Sequence, residues 1–172
     1  MIPFEKAIEL ITRDVPPPGT HRRPAADALF YVLAEDIYSD VDMPPFDKAA
    51  MDGYACRRED LARGMKMTGS LAAGDIPGKP VGLGECIQIM TGAMVPDGAD
   101  VVIMVEHTRQ AEDGLIYFTA EKTAGNIAFK AEDLNKGDRV WQGGQMILPQ
   151  HLAMFAAVGY THALVYNRPS VG

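Results

Sequence analysis

Residues 44–55, PPFDKAAMDGYA, place two carboxylates, Asp47 and Asp52, beside a proline pair and an Asp-Gly step, between apolar stretches. Asp-Gly tolerates the positive backbone angles of a tight turn, so we expect Asp52 to lie on a sharply bent, exposed backbone. A carboxylate held there can bind a metal ion or hydrogen-bond a polar ligand, and a plain surface turn is the alternative. The segment therefore supplies two candidate functional residues.

Strand signals surround this segment. From Ile37 to Lys122 the chain shows short apolar runs separated by turns, with little helical periodicity. Asp113-Gly114 separates the apolar run 101–105 from residues 115–119, which predicts a hairpin. Many short strands with frequent glycine indicate a small barrel or sandwich.

Helical patterns occur near both ends of the chain. Apolar residues at helical spacing predict an amphipathic helix over residues 3–14, and prolines 16–18 end it. A second helix is predicted from about Pro24, and a third from Pro149 to Gly159, followed by a strand at 162–166. The apolar faces predicted for the three helices are Phe4, Ile8 and Ile11; Ala25, Leu29, Val32 and Leu33; and Leu152, Phe155 and Ala156.

These patterns predict an α+β fold with two domains. A mainly-β, barrel-like domain at 44–143 is inserted into a small helical or mixed domain formed by residues 1–43 and 144–172. The sequence stops at 172 where another apolar strand would begin, so we expect a further domain beyond it.

Charge and composition exclude several classes of function. The formal charge of −7 argues against a nucleic-acid partner, since phosphate binding needs a basic face. No apolar run approaches the ~20 residues that span a membrane, and the N-terminus lacks a secretory signal pattern. The two cysteines, Cys56 and Cys86, lie far apart and are interpreted as buried thiols in a reducing compartment. A cytoplasmic protein is therefore predicted.

Common cofactor motifs are incomplete. The run 82–84 lacks the third glycine of a dinucleotide-binding loop, and the run 78–80 lacks the hydroxyl residue of a phosphate loop. The four histidines do not cluster with cysteines at zinc spacings.

Two further segments carry candidate chemistry. Thr91 stands beside Gly92 after an apolar run, where a hydroxyl and backbone N–H groups can bind an oxyanion; a strand followed by a turn is the alternative. Glu132 and Asp133 can supply hard oxygen ligands for magnesium, with a solvated loop as the alternative.

Taken in order, these segments resemble the N-terminal region of the molybdopterin molybdenumtransferase family, whose eukaryotic members include the C-terminal part of gephyrin. The resemblance covers essentially the whole chain in collinear order, and its matching stretches are 43–55, 84–93, 96–106, 126–133 and 168–171.

The resemblance implies the first two domains of a four-domain enzyme. That enzyme inserts molybdenum from molybdate into adenylylated molybdopterin, using Mg²⁺ and releasing AMP. It implies an elongated homodimer built partly by the terminal domain, and a pterin-binding domain that follows residue 172. Because the active site lies between that domain and the β domain of the other subunit, the 172-residue chain alone is predicted to be inactive.

Carried over residue by residue, the resemblance assigns activity to Asp52, Thr91 and Asp133. Asp52 and Asp133 are the implied magnesium ligands, and Thr91 offers its hydroxyl to an oxyanion. The implied substrate-binding residues are Asp47, Met51, Gly53, Gly92 and Glu132.

Two positions depart from the family pattern. Ala49 stands where many relatives carry serine, and Ala131 replaces the glycine usual before Glu132. The second exchange is expected to affect backbone angles. These departures leave a second interpretation, a stand-alone binding or assembly module that keeps the fold without the chemistry. A third is an unrelated β-barrel with accidental matches.

Overall fold

The computed structural model describes residues 2–13 and 18–169, and within them it is a mixed α/β structure composed mostly of strands. The two α-helices are α1, Phe4–Arg13, and α2, Pro149–Ala157. The strands β1 to β12 are, in order, Thr20–Pro24, Ile37–Tyr38, Lys48–Ala49, Gly53–Cys56, Lys66–Leu71, Glu85–Ile89, Val101–Met104, Thr108–Gln110, Ile116–Phe118, Ile127–Ala128, Arg139–Trp141 and His162–Tyr166.

The chain divides into two compact units. The terminal unit comprises Met1–Asp40 and Gly137–Gly172, and the inserted unit comprises Val41–Lys136. Strand β11 pairs with β2 inside the terminal unit, whereas the sequence placed residues 139–141 in the insert. The predicted domains, 1–43 with 144–172 and 44–143, stay a prediction.

The inserted unit is built on a four-stranded sheet with the order β5-β6-β4-β7. Strand β4 pairs antiparallel with both β6 and β7, and β5 runs parallel to β6. The pairing described for these residues gives an open sheet, so the barrel-like closure is not confirmed.

Both faces of the sheet are buried at β4, β6 and β7, because side chains of these strands divide between two different apolar clusters, whereas β5 is mostly exposed apart from Leu71. One cluster contains Ala49, Ala55, Leu71, Val81, Ile87, Ile89, Ala93 and Val102. The other contains Cys56, Met65, Cys86, Val101, Ile103 and Ile116. Double-sided burial explains why residues 101–103 are apolar without alternation.

A hairpin forms at the predicted turn, with one change of partner. Gly114 has φ +79°, and the Asp113 carboxylate accepts hydrogen bonds from Leu115 N–H and the Tyr117 hydroxyl. The strand paired with β9 is β8, whereas the sequence pointed to residues 101–105. Those residues instead provide β7, which pairs with β4 in the central sheet.

The terminal unit joins segments that are distant in sequence. β1 pairs antiparallel with β12, and helix α2 begins at Pro149 as predicted. The buried face of α2 carries His151 and Phe155, whereas Leu152 is half-buried and Ala156 is exposed. The predicted inner face is therefore rotated, with Phe155 as its one correct member.

The helix predicted from about Pro24 is wrong. Only one 3-10 turn, Ala25–Asp27, follows β1. Phe30 then has φ +63°, which an α-helix cannot contain, and its N–H donates to the carbonyl of Ile147 at 2.9 Å. Leu33 donates likewise to Gln145. Pairing with residues more than a hundred positions away therefore replaces the local helical pattern.

Helix α1 lies within the predicted range 3–14 and buries none of its residues, while residue 14 and prolines 16 and 17 lie outside the described residues. Phe4 is 75% exposed, Ile8 46% and Ile11 67%. Neither α-helix in the described residues combines the length and apolar character that a membrane crossing requires.

The chain leaves and re-enters the terminal unit at neighbouring positions. Gly137 N–H donates to the Ser39 carbonyl at 2.8 Å, and Ser39 N–H donates to the Asp138 carbonyl at 2.9 Å. The two ends of the insert are thus held side by side by backbone hydrogen bonds.

Candidate functional site

The first feature of the site is a direct contact between Asp52 and Thr91. Asp52 immediately precedes β4 and Thr91 lies just after β6, and the antiparallel register Gly53↔Ile89 brings these two strand ends together. Thr91 N–H donates to Asp52 Oδ1 at 2.7 Å, and the Thr91 hydroxyl donates to the same oxygen at 2.6 Å. Both residues are exposed.

This contact changes the acidity of Asp52. The hydroxyl bond from Thr91, followed by the backbone bond from Thr91, lowers the pKa of Asp52 below its ordinary value of 3.8. Hydrogen bonds to a carboxylate stabilise its charged form. Asp52 therefore presents a fixed negative charge at neutral pH, and Oδ1 is held by two donors.

Gly53 follows Asp52 for a reason that differs from the predicted turn. Gly53 is the first, buried residue of β4, and it is absent from the glycines with positive φ. A Cβ at this position would lie on the backbone carbonyl of Ile103 in the neighbouring β7, well inside van der Waals distance. The backbone does bend at Asp52, as expected, but glycine is needed for close strand approach.

The turn after β6 shapes the other side of the contact. Gly92 has φ +84°, a left-handed conformation that favours glycine, and its N–H donates to the Ala49 carbonyl at 2.8 Å. The Ala93 N–H donates to Met90, which closes the turn. Both donors of Thr91 that were predicted to receive an oxyanion are engaged by Asp52.

A second group of contacts attaches the loop 129–134 to residues 43–47. Lys130 N–H donates to Asp47 Oδ1 at 2.7 Å. Ala131 N–H donates to the Pro44 carbonyl and Asp133 N–H to the Met43 carbonyl, each at 2.9 Å. Asp47 therefore acts as an acceptor that fixes this loop.

Within the loop, Glu132 and Ala131 determine the backbone path. Glu132 Oε2 accepts the Phe129 N–H at 2.8 Å. Ala131 has φ +61°, so the residue that replaces the usual glycine still adopts the left-handed conformation. The side chains of Glu132 and Asp133 are exposed.

Strand β3 connects the three predicted segments. Ala49, which is buried, pairs with Ile127 of β10 and accepts the Gly92 N–H, while its own N–H donates to Ala93. The segments containing Asp52, Thr91 and Asp133 thus share one hydrogen-bonded framework. Among the described residues, no hydrogen bond or ion pair links Asp52 to Asp133 directly.

Possible metal ligands are few. In the part of the chain that the structure describes, no group of three or more His, Cys, Asp or Glu side chains could hold a metal ion. Magnesium commonly takes one or two protein carboxylates together with substrate phosphates and water. The ionised, exposed Asp52 fits that smaller requirement.

Sequence reasoning missed two features near these residues. Asp42 Oδ1 accepts the Lys136 N–H at 2.8 Å and Oδ2 lies 3.3 Å from Lys130 Nζ; these contacts, the backbone bond first, lower its pKa. The second is Met90, which precedes Thr91 and is 40% exposed, as is the already predicted Met51 beside Asp52, at 43%. An apolar residue beside a polar site carries no signal in sequence that separates it from core.

Comparison with known proteins gives one consistent result. The sequence pattern of the family described as MoeA N-terminal region (domain I and II) matches residues 2–159. The molybdopterin molybdenumtransferase of Staphylococcus aureus (strain Mu50) is 36% identical over 99% of this chain and 42% of the relative. The protein of the same name from Haemophilus influenzae is 35% identical over the whole chain and 44% of the relative.

Solved structures agree. The crystal structure of the molybdopterin biosynthesis MoeA protein from Pyrococcus horikoshii OT3 matches with a TM-score of 0.88 at 34% identity, covering 98% of this chain and 47% of that one. The chain spans less than half the length of the relatives it matches.

Proposed function

Since the chain belongs to the family of MoeA N-terminal regions, we propose that it supplies the N-terminal part of a molybdopterin molybdenumtransferase, the name its relatives carry. The reaction class is insertion of molybdenum from molybdate into adenylylated molybdopterin, with Mg²⁺ as cofactor. The observation that supports this assignment is the Asp52–Thr91 contact at the joined ends of β4 and β6.

Asp52 is the residue best suited to hold Mg²⁺. Thr91 holds Oδ1 with two hydrogen bonds and keeps the carboxylate ionised. The cation would neutralise charge on molybdate or phosphate oxygens, as bound metal ions do in transfer reactions. Thr91 then acts as a positioning residue for Asp52, and its hydroxyl reaches an oxyanion only by releasing that carboxylate.

Asp133 is proposed as a second carboxylate facing the same ligand. Its backbone is fixed through Met43, and Asp47 fixes the preceding Lys130. Asp47 and Glu132 therefore contribute to substrate binding by ordering the loop 129–134. Met51, Gly53 and Gly92 contribute by shaping the two strand ends that carry Asp52 and Thr91.

The partner is proposed to be a second copy of the chain, with the active site completed across the subunit interface. Helix α1 supports this proposal, because its apolar face is exposed and none of its residues is buried, so a second copy could cover that face. A ten-residue helix is marginal in water without tertiary packing.

A cytoplasmic location and barrel-like closure of the inserted unit belong to the same proposal. Two free, buried thiols suit a reducing compartment. Neither Ala49 nor Ala131 prevents the local structure, since Ala49 pairs in β3 and Ala131 adopts the left-handed conformation. A stand-alone module would keep the same local structure, so the following experiment separates it from the enzyme.

The test is complementation of a strain deficient in molybdenum-cofactor synthesis with the full-length gene. We expect rescue by the wild-type gene, loss of rescue with Asp52→Asn, and retention with Asp75→Asn, which changes an exposed carboxylate outside the site. Equal rescue by wild type and Asp52→Asn removes Asp52 from the mechanism.

A second arm concerns the 172-residue chain itself. We expect no product when the purified chain is given molybdate, Mg²⁺ and adenylylated molybdopterin. Turnover by this chain alone contradicts the proposed division of labour with a further domain, and failure of the wild-type full-length gene to rescue favours the module.

A further inference from the structure

Cys56 and Cys86 face each other across two paired strands. They are Cα partners in the antiparallel register of β4 and β6, and both are fully buried. Both thiols are free. They lie far apart in sequence and were interpreted there as buried thiols.

The strand register gives a separation that suits a disulfide. Directly opposite residues of an antiparallel pair project to the same face, with Cα atoms about 4.5 or 5.5 Å apart depending on the hydrogen-bonding position. A disulfide takes Cα separations of roughly 4.4–6.8 Å. Both register classes lie within this range. The Cβ atoms of such a pair are about 4.5–5.5 Å apart and those of a disulfide about 3.5–4.5 Å, so the bond requires a small local approach of the two strands and no change in their register.

The surroundings of the two thiols slow their reaction without preventing it. Both belong to the cluster with Met65, Val101 and Ile103. Burial raises the pKa of each thiol to about 12, so the attacking thiolate is rare while the sheet is closed. Oxidation should therefore proceed through local opening of β4 from β6.

We propose that Cys56 and Cys86 form a redox modification site, which a low-molecular-weight disulfide such as glutathione disulfide converts to an intramolecular disulfide. One thiolate first attacks glutathione disulfide, forming a mixed disulfide and releasing one glutathione. The second thiolate then attacks the protein sulfur of that mixed disulfide and releases a second glutathione. Two electrons and two thiol hydrogens leave the protein, and two glutathione thiols are formed.

The position of this bond gives it a structural consequence. Cys56 ends β4 and Cys86 lies near the start of β6, whereas Asp52 and Thr91 adjoin the opposite ends of the same strands. The disulfide and the Asp52–Thr91 hydrogen bonds would therefore hold both ends of one strand pair. The inference concerns the sheet itself and does not depend on the proposed reaction.

The test is oxidation of the purified chain by glutathione disulfide, followed by denaturation and alkylation with N-ethylmaleimide. We expect the intact mass to fall by two hydrogens, no maleimide adducts, and a peptide map joining Cys56 to Cys86. We expect the rate to rise in dilute urea, because opening limits the reaction. The oxidised chain should also have a higher Tm than the reduced chain, since the bond restricts the unfolded state.

Single variants identify the partners. Cys56→Ala and Cys86→Ala should each stop at a glutathione adduct and show no rise in Tm through an internal link; Cys56→Ser and Cys86→Ser repeat the test if alanine disturbs the core. The proposal is overturned if both thiols alkylate after oxidation in urea, or if wild-type protein ends as glutathione adducts or disulfide-linked dimers.

Discussion

Thr91 donates hydrogen bonds from both its hydroxyl and its backbone N–H to a single oxygen of Asp52, at 2.6 and 2.7 Å. The two residues are 39 positions apart, and the β4–β6 register joins them. One carboxylate oxygen is thereby fixed by two donors from one residue. The contact makes the acidity of Asp52 depend on Thr91.

We expect the pKa of Asp52 to lie below 3.8 in the folded protein and to rise toward that value in Thr91→Val. Because the folded pKa is lowered, the contact stabilises the fold above the ordinary carboxyl pKa. That contribution is lost as pH falls through the folded pKa. Carbon-detected NMR titration of the carboxyl groups measures the shift. The control is Thr12→Val. The Thr12 hydroxyl donates to the Ile8 carbonyl in α1, so removing it should leave the Asp52 titration unchanged.

Gly53→Ala should destabilise the protein by about 2–3 kcal/mol, because the added methyl meets the Ile103 carbonyl and forces β4 from β7. The control is Gly69→Ala in β5 of the same sheet. Its Cβ would lie 3.6 Å from Ile87 Cδ1, an ordinary contact. Urea unfolding measures both variants, and equal stability of the two contradicts the close-approach explanation.

Ala131→Gly should stabilise the protein by about 0.5–1 kcal/mol. The left-handed backbone at Ala131 costs an L-residue about 1–2 kcal/mol, and the greater freedom of glycine in the unfolded chain offsets part of the gain. Ala128→Gly, in strand β10, should instead cost about 0.5–1 kcal/mol. Chemical unfolding of both variants decides, and a loss of stability in Ala131→Gly contradicts the argument.

Asp60→Ala should cost about 2–3 kcal/mol. The carboxylate of Asp60 is fully buried, accepts the Gly84 N–H at 2.8 Å and lies 3.4 Å from Arg63 Nε. Removing it takes the acceptor from the partly buried Gly84 N–H and empties the buried space that the carboxylate fills. Asp75→Ala removes a comparable but exposed bond to the Ala72 N–H and should cost about 1 kcal/mol or less. Thermal and urea unfolding together measure the difference.

Replacing apolar residues on α1 tests whether this helix forms the contact between two copies of the chain. Light scattering should give twice the 18.6 kDa chain mass for the wild type and close to one chain mass for Phe4→Ser with Ile8→Ser. Glu9→Gln, on the polar face, should leave the dimer intact. A wild-type chain that stays monomeric at high concentration counts against α1 as a contact between copies.

Local patterns predicted the elements whose causes are local. The apolar spacing of Phe4, Ile8 and Ile11 gave α1, and residues 162–166 form β12 as expected. The pattern failed after Pro24, because Phe30 and Leu33 pair with residues 147 and 145, which no local window contains. Gly53 was interpreted as a turn residue, since sequence cannot show a carbonyl approaching from another strand.

The candidate site residues were predicted from the family resemblance more than from spacing. Asp52 and Thr91 stood in separate segments, and only strand pairing brings them within hydrogen-bond distance. The role of Asp47 in holding Lys130 was not foreseen, because it joins a side chain to a backbone N–H 83 positions away.

The backbone hydrogen bonds among Ser39, Gly137 and Asp138 hold together the two points at which the insert joins the terminal unit. A chain segment of almost any length can be spliced between two points that are tied together, since its ends need not be brought from afar. Recombination at this junction could exchange one insert for another while the strands of the terminal unit keep their partners. The same junction offers protein engineers a place to insert a foreign domain.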